Sequence, residues 1–243
     1  MHNSEATSSS IRQLAALPWK ALRRLRQQGL RDTIQRIRYL WDAHFGDWRH
    51  GIQAAGFISR GELGHDCECV DYDPISYRSF QFALSHAEIR AGEDVFLDFG
   101  CGMGRAVVMA ARHPFRKIIG VEKSTELCGI AEANIARIGQ KLACREIQIL
   151  NEDARTFAVP DEVTIIYMFN PFTGSILTAA LEQIAASLAR RPRRLTMLYI
   201  LPALQEDPLA ATDWLIPRVE GPTEGLRFVM YEHVPEPSIR KSS

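Results

Sequence analysis

Three apolar residues, Val95-Phe96-Leu97, lead into Asp98-Phe99 and then into Gly100-Cys101-Gly102-Met103-Gly104. Glycine at every second position lets the backbone take positive φ, and it brings N–H groups against a ligand that a Cβ would exclude. The segment reads as a strand, a tight glycine turn and a helix start, a shape suited to a nucleotide-like ligand. Turns and packing contacts also use glycine, so the segments that follow decide the reading.

Those segments form a series of strand ends. Lys117-Ile118-Ile119-Gly120-Val121 is a second β-branched run, and Glu122 follows it, about twenty residues beyond the turn, where an acid can hold ribose hydroxyls. Glu146-Ile147-Gln148-Ile149-Leu150 ends in Asn151-Glu152-Asp153, which puts Asp153 at a third strand end, where a carboxylate can accept from an exocyclic amine. Val163 to Phe169 is nearly unbroken in apolar residues, as expected of a central parallel strand covered on both faces, and it empties into Asn170-Pro171-Phe172. In an open α/β sheet ligands bind beyond the carboxyl ends of the strands, so these polar groups converge on one crevice. Helices are predicted over Gly104 to Arg112, Ser124 to Ile138 and Gly174 to Leu188, and before the first strand a further helix follows Tyr72 to Tyr77 and runs to Ile89. Leu195 to Leu201 reads as a fifth strand, and Trp214 to Val219 with Leu226 to Tyr231 as a hairpin across Glu220 to Gly225.

In this series, across roughly residues 70 to 235, the chain resembles the class I S-adenosylmethionine-dependent methyltransferases. Asp98 to Gly104 is similar to that family's first motif, acid-x-Gly-x-Gly-x-Gly. The resemblance implies S-adenosyl-L-methionine as cofactor, held by Asp98, Gly100, Cys101, Gly102 and Gly104, with Glu122 at the ribose and Asp153 at the adenine. It places Asn170 in the fourth motif, beside the transferring methyl group, as the candidate catalytic residue. The segment before the first motif often covers the cofactor in this family, which makes Tyr72 and Tyr77 further candidates for framing the cleft; the alternative for Tyr77 is packing of its helix on the sheet. The implied fold is a doubly wound, mostly parallel seven-stranded α/β sheet with an antiparallel last strand, plus an N-terminal helical appendage. Gly120-Val121-Glu122-Lys123 and Phe169-Asn170-Pro171-Phe172 also look similar to segments of the seven-strand-type histone lysine methyltransferases. The Asn-Pro-Pro-aromatic turn of amine-methylating relatives is only partly matched, because the second proline is missing and the aromatic comes one residue early. An NAD-dependent dehydrogenase fits less well, since Arg105 stands where the last glycine of Gly-x-Gly-x-x-Gly belongs.

At 243 residues and 46% hydrophobic content, the chain can bury one sizeable core and an appendage. The expected division is a disordered tail over 1–10, a basic amphipathic helical segment over 11–50, a cap and helix over 51–92, a Rossmann-like core over 93–235 and a disordered tail over 236–243. Net charge is zero, so no global field draws the chain to nucleic acid. The charge is uneven, however: between residues 11 and 41, Arg12, Lys20, Arg23, Arg24, Arg26, Arg31, Arg36 and Arg38 face Asp32 alone. Leu30, Ile34, Ile37 and Trp41 repeat at helical spacing, giving a helix with a basic outer face. Such a helix packs on the core or another subunit, lies on an anionic membrane surface, or holds an anionic substrate. Its Arg-rich character also fits a transit peptide, against which Glu5 counts. No apolar run approaches the roughly 18 residues of a membrane span, so a cytoplasmic location with peripheral membrane contact through residues 11–41 is expected.

Five cysteines without regular pairing fit a reducing compartment. Cys101 serves as a small filler, and His65-Asp66-Cys67-Glu68-Cys69 lacks zinc spacing and reads as a loop, so no metal is expected. The histidines lie away from the predicted strand ends, which leaves no evident general base. Methyl transfer from a sulfonium is an in-line displacement, and orientation alone supplies on the order of 7–11 kcal/mol. The expected function is methyl transfer to an amine or hydroxyl of an unknown acceptor, a protein lysine or a membrane-associated glycan or lipid. The alternative is a non-catalytic regulatory protein that binds the same cofactor.

Overall fold

A computed structural model describes residues 45–235. The tails at 1–10 and 236–243 and the basic segment at 11–41 lie outside the described residues. The chain divides into two units, 1–46 and 47–243, and the second carries the sheet.

The strands are β1 (Val95–Phe99), β2 (Lys117–Glu122), β3 (Ile147–Asn151), β4 (Ile165–Phe169), β5 (Leu195–Pro202), β6 (Ile216–Thr223) and β7 (Leu226–His233). They form a 7-stranded sheet in the order β3-β2-β1-β4-β5-β7-β6. Every residue of β1 is buried, as it must be for a strand covered on both faces. β2 and β4 flank it in parallel, β3 and β5 continue outward in parallel, and β7 runs antiparallel to both β5 and β6. The doubly wound α/β sheet with a reversed last strand is therefore the fold the chain adopts.

Two apolar layers cover the sheet. Phe80 of helix α1 (Tyr77–Leu84) and Val107 and Val108 of α2 (Arg105–Ala110) pack with Phe96, Ile118 and Tyr167 on one side. Ile176, Leu177 and Ile184 of α4 (Gly174–Arg190) pack with Leu97, Ile166 and Met197 on the other. Each such fully buried side chain contributes roughly 1.5–3 kcal/mol. Between them, α3 (Thr125–Ile138) starts where Ser124 Oγ accepts from Leu127 N at 3.3 Å, with Glu126 in the first turn suiting the helix dipole. Among the described residues no helix is long and apolar enough to cross a membrane.

Some boundaries differ from the sequence expectation. α1 stops at Leu84, not Ile89: Ser85 Oγ donates to Phe82 O at 2.7 Å, and the chain turns away towards β1. The hairpin loop shrinks from Glu220–Gly225 to Glu224 and Gly225, because β6 runs on through Pro222 to Thr223. Pro222 reads as a turn residue, but β6 is an edge strand and can omit a ladder donor there. Glu224 and Gly225 both have positive φ, +48° and +83°, the geometry of a two-residue turn that matches strand twist. The Glu224 carboxylate accepts from Ser76 Oγ and Ser79 Oγ, fastening this turn to the start of α1.

Candidate active site

The sheet order brings the carboxyl ends of β1, β2, β3 and β4 side by side, and a cavity of about 950 Å³, mouth included, opens above them. Asp98 lies one residue before the end of β1 and is 2% exposed. Burial first, and the neighbouring Glu122 charge second, push its pKa up to about 8. Gly100 and Cys101 follow, their N–H groups donating to Val121 O at 2.9 and 3.1 Å, so the turn is folded back onto β2. Gly100 has φ +73°, and a Cβ there would stand 2.5 Å from Pro171 Cβ. Gly102 has φ +53° beneath the ring of Tyr72, which a Cβ would strike. The alternating glycines thus serve two close approaches, one to the β4 loop and one to Tyr72. Gly104 caps α2 and does not line the cavity; neither does Gly102.

Glu122 ends β2 in a buried position. Its two carboxylate oxygens accept from Gly102 N at 3.0 Å and Ser124 N at 2.9 Å, which ties the glycine turn to the start of α3. Lone pairs remain on each oxygen for ligand hydroxyls. Asp153, beyond β3, lines the cavity but already holds Arg155 at 2.8 Å and Lys123 at 3.2 Å. The Arg155 hydrogen bonds and the Lys123 ammonium keep its carboxyl well below the usual carboxylate range. Past β4, Asn170 takes φ +37°, a left-handed conformation that asparagine tolerates better than most residues. Its Oδ1 accepts from Gln205 Nε2 at 3.1 Å and from Tyr199 Oη at 3.4 Å, both from β5 and the loop beyond it.

The wall facing the strand ends is the segment from Leu63 to Ile75, part of the stretch expected as a cap, within which the sequence marks a loop and a turn. It pairs with the β4 loop through a Cys69 to Phe172 bridge, and Val70 N donates to Pro171 O at 3.1 Å. Asp66 reaches Arg155 at 2.6 Å and Lys123 at 3.2 Å, the same two cations that hold Asp153. Glu68 accepts from Ser175 Oγ at 2.5 Å and Ile176 N at 3.2 Å at the start of α4, and these hydrogen bonds lower its pKa. Tyr72 lines the cavity and donates to Ala54 O at 2.6 Å.

Two expectations change here. Tyr77 does not line the cavity: its hydroxyl donates to Asp47 Oδ1 at 2.7 Å, and its ring stacks on His50 at 4.5 Å. Ser76 caps α1, so the first helical residue turns inward, and Tyr77 becomes a packing residue behind the site. Nor do all histidines stay away from the strand ends, because His65 lines the cavity with Nε2 4.0 Å from Glu122 Oε1. In the sequence, Arg105 marks only the place of a missing glycine. It is buried, pairs with Asp47 at 2.9 Å, donates to Ile75 O at 2.9 Å and lies over the Tyr77 ring, holding the cavity wall to α2. Tyr167, inside β4, also faces the cavity. The apolar run around it gives no hint of a polar role.

Residues 96–191 match a family described as a methyltransferase domain. No curated protein matches the chain. Among solved structures it is similar to an RNA methyltransferase from Salinibacter ruber in complex with S-adenosyl-L-homocysteine, at 18% identity over 68% of this chain and 95% of that one, with a TM-score of 0.50. A ribosomal protein L11 methylase from Lactobacillus delbrueckii subsp. bulgaricus aligns at 14% identity over 64% of this chain and 77% of that one, TM-score 0.51. A SAM-dependent methyltransferase from Aquifex aeolicus aligns at 16% identity over 64% and 89%, TM-score 0.50. At these identities the likeness is one of fold.

Proposed function

We propose, from the premise that residues 96–191 are a methyltransferase domain in the class I, seven-strand fold, that the protein transfers a methyl group from S-adenosylmethionine to an amine or hydroxyl acceptor. One observation carries this reading: Asp98, Glu122 and Asp153 end three adjacent parallel strands around one cavity, with Asn170 ending the fourth.

The residues suit a cationic nucleoside ligand. Asp98 is buried without a cation beside it, a cost to folding that a positively charged ligand would offset. Glu122 keeps acceptor capacity for a diol, and Glu152 adds a carboxylate to the lining. When bound, the cofactor supplies an electrophilic methyl group on a sulfonium. The chain's own contribution is orientation and exclusion of water: the Leu63 to Ile75 wall closes one side, and Asn170, clamped by Tyr199 and Gln205, sets the position of the acceptor. An acceptor amine entering unprotonated needs no base. The basic segment at 11–41 suits an anionic surface, which favours an acceptor presented on a membrane or on a partner of that charge.

The test is transfer of labelled methyl from S-adenosylmethionine to fractionated cell extract, comparing the wild type with Asn170→Ala. Label should enter one fraction with the wild type, and the variant should transfer about 100-fold more slowly while still binding the cofactor. Equal transfer by both proteins would remove Asn170 from the acceptor site. No transfer to the protein, lipid or nucleic acid fractions would contradict the enzymatic reading.

A further inference from the structure

Tyr167 is 1% exposed, enclosed by the rings of Phe80 at 5.1 Å and Phe96 at 6.2 Å, yet its hydroxyl has no hydrogen-bond partner. A buried phenol left unpaired costs stability, and phenylalanine would fill the same space without that cost. Tyr167 stands opposite Asp98 in the parallel register of β1 and β4, so both side chains project to the same face, and both line the cavity. Burial, with the Asp98 charge as a second cause, holds the phenol pKa well above its ordinary value, so it stays neutral. Arg105, whose Nε is likewise buried and unpartnered, also lines the cavity. An acid and a neutral hydroxyl side by side on one face of the sheet match the ammonium group of an α-amino acid.

We propose that Tyr167 binds the amino-acid end of the cofactor, its phenolic oxygen accepting a hydrogen bond from the ammonium group that Asp98 neutralises. The proposal rests on the cofactor reading above and adds to it a residue from the middle of β4. It also accounts for a tyrosine on a strand that otherwise carries Ile165, Ile166, Met168 and Phe169.

Calorimetry on the full chain and on Tyr167→Phe tests it with three probes: S-adenosylmethionine, S-adenosylhomocysteine, and 5′-methylthioadenosine, which keeps the nucleoside and sulfur but lacks the amino acid. Tyr167→Phe should bind the first two about 10- to 100-fold more weakly, the worth of a hydrogen bond to a charged group, and 5′-methylthioadenosine within about twofold of the wild type. Its ligand-free melting temperature should equal or exceed the wild-type value. Unchanged affinity for S-adenosylmethionine overturns the proposal, and so does equal weakening for all three probes, which would mark a general distortion. A wild-type chain that binds none of them overturns the cofactor reading itself, an outcome told apart because the wild type alone reveals it.

Discussion

Asp98 is costly to the fold, a cost that the proposed cofactor would offset. Its folded pKa of about 8 lies above the roughly 3.9 of an exposed aspartate, so the folded protein keeps a proton that the unfolded chain releases. Stability from this group is complete below about pH 4 and is lost as pH rises towards 8. Asp98→Asn removes that dependence. In thermal melts without ligand, the variant should gain on the wild type by up to about 5 kcal/mol between pH 4 and pH 8, with the margin closing near pH 4. An equal margin at both pH values would show that Asp98 is not held protonated. At this scale the sequence is informative where chemistry and backbone geometry coincide: Asp98, Gly100, Glu122 and Asn170 all stand at the cavity because each ends a strand. Tyr167 and Arg105 were not legible. Each sits in an apolar or glycine-rich context, and its polarity acquires meaning only through neighbours on other strands.

The Leu63 to Ile75 wall is the element that most escapes a linear reading. Its anchors lie far along the chain: Asp66 bonds Lys123 and Arg155 across 57 and 89 residues, and Glu68 bonds Ser175 across 107. The sequence there reads as a loop, and its charges serve as latches. Asp66 is exposed, so Asp66→Ala should leave the melting temperature nearly unchanged. The same variant should speed proteolytic nicking between residues 60 and 72 and raise the cofactor dissociation rate in stopped-flow measurements at low salt, with the difference fading at high salt. Identical nicking and dissociation rates would mean the Asp66 cluster does not hold the wall. Regular elements were read more successfully, since the apolar runs of β1, β2 and β4 and the cap at Ser124 signal themselves locally. The hairpin turn was misjudged because Pro222 belongs to an edge strand whose outer side needs no donor.

For the whole molecule, the strand order decides what the site can be. β1 lies between β2 and β4, and this places the first and fourth motifs in contact, with Pro171 packed against Gly100 and the Glu122 carboxylate bridging back to Gly102. The reversed β7 is inserted between β5 and β6, and this hairpin ends the sheet on the side opposite β3. The series of strand ends is legible in the sequence because each apolar run empties into a polar residue. The central claim is that these strand ends hold S-adenosylmethionine, and calorimetry tests it most directly. The wild-type chain should bind S-adenosylmethionine at one site per molecule, and Asp98→Ala with Glu122→Ala should weaken that binding at least about 100-fold while the variant still melts cooperatively. No binding by the wild type, or binding by the double variant as tight as the wild type's, would contradict the account.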